Sequence, residues 1–411
     1  MKTIIASLRS PLIAFLLAAC WQSAQAAEDI IDTLDDHLSI STSDGAIGAR
    51  LSGLLDLEGY LYQLPAPGLI YSDHNFLLNP RLSAYLDVQL GPELYAFAEM
   101  RVDRGFDPTD ANAEVALEQY AVRFTPWKDG RFNLQAGKFA TVVGNWVQRH
   151  YSWENPFVTP PLAYQNVTKI YDSGAPSSAE DFVAPPDEAK YEYNPIIWGP
   201  CYASGLSVAG KLGKFEYAAE MKNAPLASRP VAWDITSTGF DHPTFSGRLG
   251  FRPNEMWNLG FSASGGSYYR PEAASTLPPG YGIGDYHEFL LGQDLSFAWH
   301  HFQFWAEFYE IRFQVPNVGS ADTFSYYLET KYKFTPQFFG ALRWNQQLYG
   351  TVSNGEGGSA PWDNNIWQID TSVGYRFTPH TQIKLQYSIL SQPGAVREVT
   401  QMLAAQVTVK F

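Results

Sequence analysis

From Ile47 to the C-terminal Phe411 the sequence repeats with a period of two, and this repeat limits the possible folds more than any other feature. Successive side chains of a strand point to opposite faces, so alternation of apolar with polar residues marks one dry face and one wet face. Leu82, Ala84, Leu86, Val88 and Leu90 alternate with Arg81, Ser83, Tyr85, Asp87 and Gln89. Leu94, Ala96, Ala98, Met100 and Val102 alternate with Tyr95, Phe97, Glu99, Arg101 and Asp103. Sixteen such segments are predicted, near 47–63, 76–90, 93–104, 112–125, 131–141, 200–213, 215–223, 243–252, 255–269, 285–299, 302–314, 322–335, 337–349, 364–378, 381–391 and 397–411.

The connections alternate between short (Gly91-Pro92, Gly213-Lys214, His300-His301) and long (64–75, 142–199, 224–242, 270–284, 350–363). An even number of strands, each long enough to cross a tilted bilayer, with turns on one side and loops on the other, predicts an all-β protein. Its form is a transmembrane antiparallel β-barrel of 16 strands. A soluble β-sandwich would hide its apolar face in a core and use shorter strands. Here only 17% of residues are charged, yet the polar faces carry Asp, Glu, Arg and Lys at mid-strand, as a wet lumen requires. Gln293 and Lys138 interrupt lipid-facing registers, which a bulge would explain.

The formal net charge of −14 argues against nucleic acid as a partner. No apolar run reaches 18 residues, so a bundle of membrane helices is excluded. Two cysteines and no C-x-x-C-H motif exclude a disulfide scaffold and covalent c-type haem. No G-x-S-x-G or H-E-x-x-H occurs, so no catalytic residue, metal ligand or cofactor is assigned and an enzyme is not expected.

Lys2 and Arg9 precede the apolar run from Leu12 to Cys20, and Ala24-Gln25-Ala26 reads as a cleavage site. Residues 1–26 are therefore expected to be a signal peptide, although Leu17-Ala18-Ala19-Cys20 also reads as a lipobox. Residues 27–46 then form a periplasmic N-terminal segment, a short amphipathic helix or a loose lead-in, and 47–411 the barrel. Cys201 would be the one cysteine of the mature chain, read as a passive loop residue.

The ending Val407-Thr408-Val409-Lys410-Phe411 resembles the C-terminal signature of outer-membrane barrels, and the whole pattern resembles the Gram-negative porins of sixteen strands. Gly137-Lys138-Phe139 resembles the step into the third outer loop of porins, and the longest connection, 142–199, follows it. The Pro-Glu-Phe-Gly-Gly stretch of enterobacterial porins is missing, with Asn155-Pro156-Phe157 in its neighbourhood. The resemblance implies location in the cell outer membrane, contact with its lipid, and recognition of Phe411 by the assembly machinery. It also implies a homotrimer, and passive diffusion of small hydrophilic solutes past an inward-folded loop between strands 5 and 6. Sixteen strands leave a channel too wide for side chains to fill, so a long ordered segment is the natural selectivity element.

The alternation assigns Arg81, Asp87, Glu99, Arg101, Glu307 and Arg343 to the pore wall, with Arg149 and Glu154 on the loop. Arg81, Arg101 and Arg343 are expected to face loop acids across the constriction, giving a transverse field. Trp146, Trp153, Tyr95, Phe97, Trp305 and Tyr309 raise the alternative of an oligosaccharide-selective channel. A further alternative is a barrel sheathing a haem protein in an electron conduit, which requires the loop to sit outside the lumen.

Overall fold

The computed structural model describes residues 37–63, 74–103, 114–185, 193–236, 238–393 and 398–411. The expected signal peptide and lipobox, and Asp187, Glu188, Lys190 and Glu192 of the long loop, lie outside them.

Sixteen strands form the barrel: β1 (Ile47–Tyr62), β2 (Phe76–Leu90), β3 (Leu94–Asp103), β4 (Glu114–Phe124), β5 (Asn133–Phe139), β6 (Ala203–Leu212), β7 (Phe215–Lys222) and β8 (Thr244–Phe251). The second half comprises β9 (Trp257–Ser267), β10 (His287–Trp299), β11 (Phe302–Val315), β12 (Gly319–Lys333), β13 (Phe338–Tyr349), β14 (Ile366–Arg376), β15 (Thr381–Ser391) and β16 (Val399–Lys410). Each pairs antiparallel with the next, and β16 returns to β1 in a register running from Met402 opposite Tyr62 to Lys410 opposite Leu54. The sheet is therefore closed, without the unpaired edge that an open sheet exposes. Every predicted strand lies within three residues of its observed bounds. Ser39–Ser41 adds a short strand against Gly48–Arg50.

Burial is inverted relative to a water-soluble protein. Outward residues such as Leu57, Phe215, Phe245 and Leu249 (66%) are exposed, whereas Asp56, Glu58 (1%), Glu329 and Arg343 on the inner face are buried. Such a distribution is stable only where the outer solvent is apolar and the charges meet partners inside. Trp127, Trp299, Tyr332 and Phe334 are exposed near the short turns, where an interfacial girdle belongs.

One bulge re-aims a side chain. Glu99 faces Gln119 but Met100 faces Leu117, so Glu118 is an extra residue on β4 and turns inward to pair with Arg101 (2.7 Å). The Lys138 ammonium, in the outward register of Leu134 and Ala136, donates to the Leu117 carbonyl beside the bulge (2.9 Å). Gln293 sits in regular register between Phe261 and Phe308, so no bulge accounts for it.

The segment from Ala140 to Tyr202 enters the barrel rather than capping it. Its described residues include 3-10 turns at Val147–Arg149 and Leu162–Tyr164 and α1 (Ala179–Val183), whose Ser178 cap accepts from the Asp181 amide. Val143, Trp146, Leu162, Tyr164, Val167 and Ile197 of this segment pack with Tyr309, Phe313 and Tyr349 of the wall, so the hydrophobic core lies inside the cylinder.

Candidate permeation site

The loop is seated on one half of the lumen by charged wall residues that bind its backbone. Gly144 begins the seat with φ +76°, at a point where a Cβ would strike Tyr309 and Glu307. Glu307 then accepts from the amides of Asn145 (2.5 Å) and Trp146 (2.8 Å) and from the Tyr164 hydroxyl (2.8 Å). Arg149 pairs with Glu329 and lies over the Trp305 ring, 4.4 Å from its centroid. Arg343 bridges Asp370 (2.9 Å) and Glu329 (3.5 Å), and donates to the carbonyls of Thr159 (3.0 Å) and Pro160 (3.1 Å). The Lys384 ammonium donates to the carbonyls of Ser152, Asn155 and Phe157 at 2.7, 2.9 and 3.2 Å. A buried charge needs this kind of saturation, because one left unmatched costs several kcal/mol (about 3–5).

Further from the centre, loops of the open end clamp the same segment. Asp172 takes the Arg270 guanidinium (2.9 Å) and the Ser228 hydroxyl, and Glu288 accepts from the amides of Leu226 and Ala227. Cys201 is buried here against the Pro225 carbonyl, and burial pushes its thiol up to about 12.

Space remains along the opposite wall, β1 to β4 with β16. A cavity of about 430 Å³ near the short turns is lined by Asp87, Tyr95, Phe97, Arg123, Trp153, Glu154 and Lys410. A second, about 130 Å³, lies deeper and is lined by Asp56, Glu58, Tyr60, Asn79, Arg81, Arg101, Trp146, His150, Phe157 and Gln406. Leu54, Tyr85, Glu99 and Tyr151 line both. The Tyr85 and Tyr151 rings meet edge to face at 5.4 Å and 88°. Glu99 holds that junction, accepting through Oε2 from Gln119 (2.7 Å), Tyr151 (2.9 Å) and Tyr202 (3.4 Å). Beside it His150 is buried against Tyr202, which pushes its imidazole down to about 3 and keeps it neutral.

The structure separates the eight residues assigned to the pore from sequence. Arg81, Glu99 and Arg101 line the deeper cavity, and Asp87, Glu99 and Glu154 the larger one. Arg343, Glu307 and Arg149 line neither of these two cavities; Arg343 and Glu307 bind the loop backbone from the wall, and Arg149 reaches from the loop to Glu329. Among the described residues, the ion-pair partners of Arg81 and Arg101 are wall acids rather than loop acids. Arg81 pairs with the wall acids Asp56 (3.1 Å) and Glu58 (2.5 Å), and Arg101 with Asp103 (2.8 Å) and Glu118. Among the described residues no loop acid reaches the deeper cavity, because Asp172 is held by Arg270 and Glu180 and Asp181 sit in α1. Trp305 and Tyr309 are likewise under the loop, while Trp146, Trp153, Tyr95 and Phe97 keep faces on the cavities. The electron-conduit alternative required the loop to sit outside the lumen, whereas its described residues pack against the inner wall. Asn79 and Gln406 carry no signal of this role in the sequence; the alternation puts Gln406 on the wet face but gives no sign that it meets Glu58.

No protein-family profile matches the chain, and no curated protein matches it in sequence. Its fold is shared with solved outer-membrane structures. The anion-selective porin from Comamonas acidovorans has a TM-score of 0.57 at 11% identity, over 89% of this chain and 100% of that one. OmpF of Salmonella typhi, in complex with daunomycin, gives 0.56 at 10%, over 90% and 100%. The trimer form of OmpT, an outer membrane protein of Vibrio cholerae, gives 0.54 at 8%, over 89% and 100%. The chain thus has the porin-type sixteen-strand fold.

Proposed function

We propose that the chain is an outer-membrane porin through which small hydrophilic solutes and ions diffuse passively. Their route is eccentric, running between the inward loop and the wall formed by β1 to β4 and β16. The observation that carries this reading is the pair of polar cavities meeting at Tyr85, Glu99 and Tyr151, inside a closed barrel whose outer face is apolar. The remainder of the lumen is occupied by a loop pinned at many backbone groups, so a solute has one side on which to pass. Residues 1–26 serve as the secretory signal in this reading, Phe411 as the contact for the assembly machinery, and the Gram-negative outer membrane as the location. A homotrimer is proposed from the resemblance, and transport rather than catalysis as the role.

A saccharide-selective channel is the second reading. Tyr95 and Phe97 stack at 5.7 Å and 27° on the wall of the larger cavity, which Trp153 also lines, and such faces suit sugar rings. Purified protein added to planar bilayers is expected to give discrete conductance steps, and proteoliposomes to swell in small sugars. Absence of both from correctly folded protein overturns the pore. Block of the current by a maltooligosaccharide, and not by glucose, favours the second reading.

A further inference from the structure

We propose that the deeper cavity is a station for amine-bearing cations and makes the channel cation-selective. This inference rests on the pore reading and names the solute class for the same route.

Charge is the first observation. Asp56, Glu58, Glu99, Asp103 and Glu118 gather on β1, β3 and β4, and the cations set among them are Arg81 and Arg101. Two further bases stand at the margin: Lys138, in the outward register, donates to the Leu117 carbonyl beside Glu118, and Lys384 is sealed beneath the loop by the three carbonyls it binds. The bases pair with four of these acids, and Glu99 is held by the neutral donors Gln119, Tyr151 and Tyr202. In a narrow, low-dielectric passage such a surplus raises the local concentration of cations and repels anions.

Hydrogen-bonding demand is the second observation, independent of charge. Asn79 donates to Glu58 Oε2 (3.3 Å) and Gln406 to Glu58 Oε1 (2.5 Å). Each amide is thereby fixed, since turning either one would set a carbonyl against the carboxylate. Fixed this way, Asn79 Oδ1 and Gln406 Oε1 are acceptors without a donor, on residues 6% and 1% exposed that line the cavity. Ser152 Oγ, on the loop side of the same cavity, is unpartnered as well. Acceptors left unsatisfied in a buried place call for donors. Two such oxygens within a carboxylate surplus match an ammonium or guanidinium group, which brings several N–H donors and a positive charge. The Tyr60 ring also lines the cavity, whereas the Phe157 ring already carries the Arg343 guanidinium, 4.3 Å from its centroid.

Two measurements test this. In bilayers under a KCl gradient, the reversal potential should take the sign for K⁺ over Cl⁻, with a permeability ratio above about 3. Glu99→Gln should lower that ratio while keeping the fold, because all three donors reach Oε2 and an amide oxygen can replace it. Isothermal titration of the detergent-solubilised full chain with spermidine at low salt should give saturable binding, weakened about fivefold by Glu99→Gln. Anion preference, or a ratio near 1 in a conducting protein, overturns the inference. Absence of conductance overturns the pore reading instead, and the titration then decides the site: no spermidine binding by the folded wild type overturns it.

Discussion

The ring of Phe411 fills the space that a side chain on Gly53 would occupy. The two residues also exchange backbone hydrogen bonds, Gly53 N–H to Phe411 O at 2.8 Å and Phe411 N–H to Gly53 O at 3.0 Å. The chain's last residue thus extends the seam that closes the barrel, and its aromatic ring covers a glycine in the first strand, a known way of stabilising a strand glycine. Gly53→Val is expected to push out the ring and crowd the Ser83 carbonyl, at a cost of about 1–3 kcal/mol. A lower temperature for loss of the compact band in semi-native gel electrophoresis checks it.

Arg343 answers two carboxylates at once, so Arg343→Met leaves Glu329 and Asp370 without it in a fully buried place. Removing one member of such a network costs about 3–5 kcal/mol. Arg149 still reaches Glu329, so the greater loss falls at Asp370 and at the loop carbonyls of Thr159 and Pro160. Thermal unfolding followed by circular dichroism should shift downward, and single-channel current should become noisier as the loop loosens. Arg343→Lys should fail to restore either, since an ammonium cannot reproduce the planar fork.

Gly144→Ala places a methyl where the Tyr309 hydroxyl and Glu307 already lie, at a positive φ that costs an alanine about 1 kcal/mol or more. The expected result is an unseated loop entry in an intact barrel. Protease should then cut the loop in the folded protein, whereas the wild type resists.

Cys201 should resist maleimide at pH 8, since its thiol is buried and pushed up to about 12, and the thiolate is the reactive form. Denaturation should make it react. Rapid labelling of the folded protein would contradict the clamped arrangement of the open-end loops.

The barrel was legible in the sequence because a two-residue period states which face each residue takes, and apart from the bulge at Glu118 the closed sheet keeps that rule. The wet-face assignment of Arg81, Glu99 and Glu307 follows from it directly. What the period cannot state is the angular position at which a loop lands. Arg81 and Arg343 are indistinguishable in alternation, yet one borders open space and the other lies under Thr159 and Pro160. The loop's own partners are set by backbone groups, as when Lys384 binds three carbonyls, and backbone groups leave no trace in residue identity. The bulge at Glu118 was equally hidden, because one extra residue in a short strand resembles an imperfect repeat.

On the proposed route, solutes cross the junction of the two cavities, where the Tyr85 and Tyr151 rings meet. Single-channel conductance of Tyr151→Ala against the wild type, in protein that keeps its heat-modifiable gel mobility, tests it most directly. Conductance is expected to rise roughly twofold or more as the edge-to-face contact is lost and the two cavities merge. Unchanged conductance would mean that the route lies elsewhere in the barrel.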